Sequence, residues 1–393
     1  MSQYIQPGTP DYRRTNVALF FAGFATFSLL YCVQPLLPVL ARQFDVTPAV
    51  SALSLSLTTA ALAFAIVLAG PLSQAAGRRG LMALSIAAAG ICNLLAAFAG
   101  DWQSLLGLRM LEGAALGGVP AVAIAYLGEE IEPRGLGRAT GLYVAATALG
   151  GLAGRSLTAY LSDEMGWRFA LGAIGVLGVL SAVGFALLLP ASRHFTKGPW
   201  FDPMLHLRTW AGHILHPKLP LLFAIGGLAM GSFVTVYNYI GFRLELPPYN
   251  LSQTQTGLIF TVYLFGMLSS TWAGGLADRI GRAPVLVGGL GVAIAGLVVS
   301  LFAPLALVVV GIALLTGGFF AAHAVASAWI SGMSQAKGHA ASLYLLVYYL
   351  GSSILGWAGG WFWSHAGWPG VVGFTAAAYG LALAAALVLK KTS

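Results

Sequence analysis

The sequence has few charged residues and almost no cysteine. Charged side chains make up 8% of its 393 residues and cysteine occurs twice, whereas about a quarter of the residues in soluble domains are charged. Hydrophobic residues reach 58% and the mean hydropathy is +0.82, which excludes an ordinary water-soluble globule. Cys32 and Cys92 both fall in apolar stretches, where a free thiol behaves as a small hydrophobic group. We therefore expect no disulfide framework.

Negative charge is scarcer than positive charge, with 12 acidic residues against 20 basic ones. If both chain ends are cytoplasmic, fifteen basic residues lie on that side of the membrane and three on the other. Such an excess sets the orientation of membrane proteins. We attribute the net charge of +8 to topology and to anionic head groups, and not to nucleic acid. We therefore expect both termini to lie in the cytoplasm.

Long apolar runs fill most of the chain. Each approaches the ~20 residues that a membrane-spanning helix needs. Twelve such segments are predicted, at 16–40, 50–72, 80–99, 103–127, 138–160, 168–190, 219–242, 254–275, 284–303, 305–330, 340–362 and 368–389. The first is too long for a cleaved signal peptide and is expected to remain as a helix. The fold class is therefore all-α integral membrane, with twelve transmembrane helices in a lipid bilayer.

The sequence contains an internal repeat. Gly70-Pro-Leu-Ser-Gln-Ala-Ala-Gly-Arg78 recurs as Gly274-Gly-Leu-Ala-Asp-Arg-Ile-Gly-Arg282, 204 residues later. Further matches at offsets of 201 to 205 include Asp45 with Asn250, and Gly166-Trp167 with Gly367-Trp368. This spacing predicts two parallel six-helix halves, 1–190 and 219–393, joined by a cytoplasmic linker at 191–218. Parallel repeats of this kind are typical of alternating-access transporters that bind substrate between the halves.

Several motifs carry a family resemblance. The two glycine-arginine segments and Leu105-x-x-x-Arg109-x-x-Glu112-Gly113 resemble those of the major facilitator superfamily, in particular its twelve-helix proton-coupled drug antiporters. Tyr31-Cys-Val-Gln-Pro35 and Phe319-Phe-Ala-Ala-His323 are similar to the YnfM-type group of bacterial inner-membrane transport proteins. The resemblance implies the major facilitator fold and a location in a bacterial inner membrane. It also implies proton-coupled efflux of a small amphipathic organic molecule or drug. We expect no cofactor, and a monomer is expected because a twelve-helix unit can enclose its own transport path.

The resemblance also implies an inner gate at the repeated segments. The family has an aspartate where this chain has Gln74, whereas the second copy keeps Asp278. A carboxylate at a helix N-terminus gains roughly 0.3–1 kcal/mol, so we expect Asp278, against the helix start near Arg138, to be the stronger latch. Alternatively, both segments are merely tight basic turns. The predicted gate residues are Gly70, Gln74, Gly77, Arg78, Asp278, Gly281, Arg282 and Arg138.

The fifth predicted helix departs from the antiporter pattern at one position. Its glycines survive at Gly141, Gly150 and Gly154, but the expected proline is Arg155. Gly150-x-x-x-Gly154 still permits close contact with a neighbouring helix. Arg155 either extends outward to the interface or faces inward, where it would reach Glu112 or an anionic substrate group.

Arg109 and Glu112 place opposite charges inside the predicted fourth span. Three residues apart on a helix, they share one face, and a charge at bilayer depth costs at least ~3 kcal/mol. All other acidic residues fall outside the predicted spans. Burial and the guanidinium act in opposite directions on the carboxyl, so we predict that Glu112 binds the coupling proton and that Arg109 tunes it. The competing interpretation is a static ion pair that holds helices together.

Other candidate residues are less specific. His323 in the tenth predicted span could carry a proton or simply be a hydrogen-bonded packing residue. Aromatic rings with polar tips suit amphipathic ligands, although any one of them could serve helix packing instead. The candidate substrate-binding residues are Arg155, Tyr31, Gln34, Tyr143, Tyr237, Asn238, Tyr344 and Tyr348.

A second function stays open on these residues. The chain would then transport an anionic metabolite, sugar or siderophore-like compound held by Arg109 and Arg155, with Glu112 structural. A membrane enzyme is not expected, because we find no nucleotide loop, no metal-ligand spacing and no nucleophile with a base in sequence reach.

Overall fold

A computed structural model describes residues 4–195, 203–334 and 336–392 of the chain. These residues form fifteen α-helices, and Ile5 and Ile131 make an isolated β-bridge. Residues 196–202 of the predicted linker lie outside the described part. The helices are α1 (Pro10–Tyr31), α2 (Leu37–Gln43), α3 (Pro48–Ala76), α4 (Arg78–Ala96), α5 (Trp102–Leu116), α6 (Pro120–Glu130), α7 (Pro133–Met165), α8 (Trp167–Leu188), α9 (Pro203–Ile214), α10 (Leu219–Glu245), α11 (Gln253–Gly257), α12 (Tyr263–Ile280), α13 (Arg282–Val299), α14 (Leu305–Met333) and α15 (Lys337–Thr392).

The helices account for all twelve predicted spans. Ten segments of the described chain are long and apolar enough to cross a membrane. One of these, Gly338–Lys391, has 54 residues and holds two predicted spans, which meet at Gly367 (φ 57°, ψ −144°). The remaining predicted span is α7, which is 33 residues long and more polar because it carries Arg138 and Arg155. The predicted all-α integral membrane fold is confirmed.

The chain packs as two compact units. The first contains Met1–Val33 and Phe64–Asp202, and in it α1 lies against α7 and α8 while α4 packs on α5 and α8. The second contains Gln34–Ala63 and Pro203–Ser393, and in it α10 lies against α15 while α14 packs on α12 and α13. Residues 34–63 thus pack with the C-terminal part of the chain. The division into halves at 1–190 and 219–393, which comes from the internal repeat, stays a prediction.

The internal repeat is visible in the backbone. Gly77 and Gly281 precede α4 and α13 with φ of 93° and 92°, and the matched pair Asp45 and Asn250 has φ of 51° and 47°. A residue with a Cβ atom pays about 1–2 kcal/mol in the left-handed region, which glycine, asparagine and aspartate tolerate best. The matched residue types therefore specify the same turns in both copies.

One predicted boundary is wrong, and one predicted span contains a break. The break expected between 72 and 80 is reduced to Gly77, because α3 continues through Pro71 to Ala76. The gate residues Gly70 and Gln74 consequently lie in the last turns of a helix and not in a loop. The span expected at 103–127 is interrupted between α5 and α6, which begins at Pro120. Proline has no N–H and clashes with the preceding turn, so it starts a helix more readily than it continues one.

Glycines in α7 allow α1 to approach closely. A Cβ atom on Gly150 would overlap the Phe24 backbone, and one on Gly154 would lie 2.6 Å from the Ser28 Cα atom. The Ser28 hydroxyl donates a hydrogen bond to the Gly150 carbonyl at 2.9 Å. The predicted close contact of this glycine pair with a neighbouring helix therefore involves α1.

Replacing Gly150 with valine should lower the stability of the protein by about 1–3 kcal/mol, because overpacking displaces backbone. The measurement is the midpoint of thermal unfolding in detergent. Gly141→Val on the same helix is the matched control, since a Cβ atom there meets no heavy atom within 4 Å. Equal midpoints for the two variants would contradict this account of the α1–α7 contact.

Candidate functional site

Arg109 and Glu112 form a fully buried ion pair on α5. Their side chains have 0% exposure, and Arg109 Nη1 lies 2.5 Å from Glu112 Oε2. The three-residue spacing on one helical face thus brings the two charges together, as the sequence predicts. Because charge is costly in an apolar interior, this pair needs hydrogen bonds from neighbouring groups to stabilise it.

The Arg109 guanidinium has further acceptors on two other helices. Its Nη1 donates to the Leu29 carbonyl at 3.3 Å and to Asn93 Oδ1 at 3.1 Å, and its Nη2 donates to the Leu30 carbonyl at 2.9 Å. These carbonyls belong to the last turn of α1, where carbonyl groups have no N–H donor within their own helix. Asn93 lies on α4 and donates to the Leu171 carbonyl of α8 at 2.8 Å. Arg109 of α5 is therefore bonded directly to α1 and α4 and is linked to α8 through Asn93.

Asn93 is a functional candidate that the sequence reasoning missed. It has 0% exposure and joins Arg109 to α8 through its two amide atoms. It could have been found from the sequence as a lone amide side chain inside an apolar span, since such residues usually hydrogen-bond across helices. Its partner could not be assigned without knowing that α4 packs on α5.

The Glu112 carboxylate is only half satisfied. Oε2 accepts from Arg109, whereas Oε1 is buried and has no hydrogen-bond partner among the described residues. Buried polar atoms nearly always have a partner in native proteins, and a carboxylate oxygen that lacks one can take up a proton or accept a bond from a ligand. The pair thus combines a well-held cation with an incompletely bonded anion.

Arg155 faces the interior of the first unit. Its exposure is 2%, its Cζ atom lies 4.0 Å from the centre of the Tyr31 ring, and its Nη1 donates to the Gly151 carbonyl at 2.7 Å. An arginine over an aromatic face gains a cation–π attraction that grows when both groups are dehydrated. Of the two orientations open to Arg155, the structure has the inward one, and it brings Arg155 together with Tyr31.

Two further predicted residues have distinctive polar environments. The Tyr143 hydroxyl is buried without a hydrogen-bond partner among the described residues. In the second unit, Gln34 Nε2 donates to Asn238 Oδ1 at 2.8 Å, and both side chains are buried. The Gln34–Asn238 pair therefore links the start of the 34–63 segment to α10.

The second unit contains a buried aromatic cluster. His323 Nδ1 lies 2.8 Å from the Tyr344 hydroxyl, and its ring centre is 4.8 Å from that of Tyr348. The Tyr237 hydroxyl lies 2.7 Å from Thr316 Oγ1. His323 therefore has the hydrogen bond expected of a packing residue, and a proton-carrying role stays a prediction. The cluster also includes rings that were not among the candidate substrate-binding residues, namely Phe233, Phe260, Tyr263, Phe319 and Phe320.

The predicted gate residues divide into bonded and exposed groups. The Arg78 guanidinium pairs through two nitrogens with Glu129 on α6 and donates to Ser73 Oγ at 3.1 Å. Sequence reasoning did not identify Glu129 as this partner. Gln74, Arg138, Asp278 and Arg282 are exposed. The latch of Asp278 near Arg138 stays a prediction, and no cluster of metal-binding side chains occurs among the residues described.

The chain combines twelve spanning segments with a repeated glycine-arginine turn and a buried arginine–glutamate pair, and this combination is typical of one class of membrane protein. The chain belongs to the Major Facilitator Superfamily, whose family model matches residues 19–249 and 246–393. It is a multi-pass secondary transporter, so its substrate is a small molecule.

Individual relatives refine this assignment. The chain is 47% identical over 376 residues to the Inner membrane transport protein YnfM of Escherichia coli K12, covering 95% of this chain and 90% of that protein. It is 44% identical to the Uncharacterized MFS-type transporter YybF of Bacillus subtilis 168, covering 94% and 92%. A bacterial homolog of the human lysosomal transporter Spinster, inward-facing and occupied, shares the fold with a TM-score of 0.79 at 14% identity and 98% coverage of both chains. The resemblance drawn from the motifs is confirmed.

Proposed function

We propose that the protein exports a small amphipathic organic molecule across a bacterial inner membrane in exchange for protons. In this proposal the halves 1–190 and 219–393 alternate around the substrate, both termini are cytoplasmic, and the protein acts as a monomer. The observation that supports it best is the fully buried Glu112 carboxylate, because one of its oxygens has no hydrogen-bond partner among the described residues. Such a group can lose and regain a proton without exchanging other partners.

The surroundings of Arg109 support a proton cycle at Glu112. When Glu112 is protonated, the guanidinium loses its counter-charge but keeps three acceptors, Leu29 O, Leu30 O and Asn93 Oδ1. Hydrogen bonds to charged groups contribute about 1.5–3 kcal/mol each. Arg109 can therefore stay in place in both protonation states, as a reversible carrier requires.

The aromatic residues support an amphipathic cargo. Rings from α10, α12, α14 and α15 form one continuous cluster in the second unit. In the first unit, Tyr143 offers a buried hydroxyl whose hydrogen-bonding capacity is unused among the described residues. Ligand sites for drug-sized molecules combine large apolar and aromatic area with a few polar groups, and these residues supply both.

The test is flux in liposomes that contain only this transporter. Vesicles loaded with a lipophilic cationic dye, such as ethidium, should release it when a pH gradient is imposed and should take up protons in return. Empty liposomes and a collapsed gradient are the controls. Dye flux that is the same with and without the gradient would overturn proton coupling.

A second candidate function is transport of an organic anion. It is favoured by the placement of Arg155, a buried cation inside a membrane helix beside an aromatic ring. It is disfavoured by Arg109, whose charge is already paired with Glu112. Thermal shifts with a panel of carboxylates and of amphipathic cations, each at two pH values, separate the candidates. Carboxylates that stabilise the protein more than the cations do would favour this second function.

Contacts within the second unit suggest a gate that must open during transport. Residues 34–63 belong by sequence to the first half, yet Arg42 Nη1 lies 2.8 Å from Glu245 Oε2 and the Ser353 hydroxyl donates to the Ser56 carbonyl at 2.6 Å. If the halves alternate, these contacts break in every cycle.

Joining Arg42→Cys to Glu245→Cys with a short bifunctional thiol reagent should therefore reduce transport at least tenfold, because the gate can no longer separate. The background is Cys32→Ala with Cys92→Ala, and the measurement is dye flux. Single-cysteine variants treated with the same reagent are the matched controls. Full activity of the cross-linked protein would show that this contact is not part of a gate.

A further inference from the structure

A basic cleft opens at one end of the second unit. We use this name for the cleft formed by Lys218, Arg282 and Lys390, which is also lined by Trp329 and Met333. It lies where α10 and α13 begin and where α14 and α15 end. Three of its lining residues are basic, and none of the residues described as lining it is acidic. This local excess of positive charge favours the binding of an anion.

The internal repeat shows which acidic partner Arg282 lacks. Arg282 matches Arg78 at the offset of 204 residues, and in the first copy Arg78 is held by Glu129 and Ser73. At the offsets of 203 and 204, the residues matching Glu129 and Ser73 are Gly332 and Ala277. The second copy has thus kept the arginine while both of its side-chain partners are replaced by residues without polar side-chain atoms.

In the structure, Arg282 lies beside Gly332, the residue that matches Glu129. A Cβ atom on Gly332 would lie 3.0 Å from Arg282 Nη1, so the guanidinium occupies the position next to the matching helix end. Arg282 is exposed and makes no ion pair or side-chain hydrogen bond with any other described residue. Its donors are therefore available to a ligand.

The surroundings of the basic cleft are apolar. Trp329 packs into it with 8% exposure, and α9 lies beside it, because His213 Nε2 on α9 is 2.8 Å from Ser334 Oγ, next to Met333. Four residues of α9 and its C-terminal end leave large apolar side chains more than half exposed: Met204, Leu207, Ile214 and Leu215. A helix with such a face lies in the membrane interface. A ligand in this cleft therefore has a charged contact and an apolar one.

We propose that the basic cleft binds the phosphate group of an anionic phospholipid, such as phosphatidylglycerol, whose acyl chains pass along Trp329 and the apolar face of α9. Arginine binds phosphate oxygens through two parallel hydrogen bonds, and basic pockets between transmembrane helices on the cytoplasmic side are known to bind phospholipid head groups. This site is separate from the transport chemistry at Glu112 and does not depend on the proposed function.

The sharpest test restores the missing carboxylate. Gly332→Glu would place an acid next to Arg282 at the position that Glu129 has in the first copy. Binding of phosphatidylglycerol to the detergent-purified protein, followed by native mass spectrometry, should weaken tenfold or more in this variant. Gly137→Glu is the matched control, because this exposed glycine of the first unit has open space around it. It should bind the lipid as the parent protein does.

A second pair of variants removes one charge. Arg282→Gln should weaken phosphatidylglycerol binding about fivefold, since each basic residue near anionic lipid contributes on the order of 1 kcal/mol, whereas the exposed Arg279→Gln should not. Unchanged unfolding midpoints in phosphatidylcholine verify that the variants fold. Binding in Gly332→Glu equal to that in the parent would overturn the proposal, as would equal binding of phosphatidylcholine. Displacement by glycerol phosphate at the lipid's concentration would also overturn it, in favour of a soluble phosphate compound.

Discussion

Transport driven by a pH gradient should fall at least tenfold in Glu112→Gln, while exchange of labelled substrate at equal pH should continue. Glutamine keeps the size of the side chain and can still accept from Arg109, but it cannot gain or lose a proton. If Glu112 carries the coupling proton, the variant retains binding and the conformational cycle and loses only the coupling. The measurement is flux in liposomes with and without the gradient.

A matched substitution separates this effect from a general loss of acidic charge. Glu164→Gln removes an exposed carboxylate at the C-terminal end of α7 and should leave gradient-driven flux within twofold of the parent. If Glu112→Gln responds to the gradient as the parent does, Glu112 is not the coupling group. The pair with Arg109 would then be structural, and His323 would be the next residue to test.

The largest effect on stability is expected for Arg109→Gln. Removing one partner of a buried ion pair costs about 3–5 kcal/mol, because the remaining charge is left without compensation. Glu112 would keep no partner that the structure describes, since its Oε1 already has none. Glu112→Gln should cost less, because Arg109 keeps its three acceptors on α1 and α4. The readout is the midpoint of thermal unfolding in detergent.

The double variant makes this prediction specific. When Arg109→Gln is combined with Glu112→Gln, no uncompensated charge remains, and the midpoint should recover to a value above that of Arg109→Gln alone. Such non-additivity is the signature of a direct interaction between two residues. A double variant as unstable as the sum of the two single changes would contradict the idea that the buried carboxylate causes the loss.

Local patterns were enough to predict much of this molecule. Apolar runs predicted the spans, because every spanning segment has to satisfy its backbone internally and helices do so within one segment. The three-residue spacing of Arg109 and Glu112 predicted their contact for the same local reason. The internal repeat was also found from matched residues such as Gly77 and Gly281, and the structure adds that these two glycines have nearly the same φ.

Contacts between distant segments could not be predicted in this way. Asn93 meets Arg109 only because α4 packs on α5, and Glu129 meets Arg78 only because α6 ends near the start of α4. Arg155 had two orientations open to it until its contact with Tyr31 of α1 was known. In each case the sequence showed a polar group that needed a partner, and tertiary packing decided which one.

The attachment of Arg109 to the end of α1 has a mechanical consequence. Its guanidinium caps the carbonyls of Leu29 and Leu30, four or five residues before Gln34, where the chain leaves one compact unit for the other. Through Arg109, Glu112 is therefore linked to the end of α1, just before the chain passes from the first unit to the second. If Glu112 carries the coupling proton, as we propose, a single side chain connects the proton site to the segment in which the chain passes from one unit to the other.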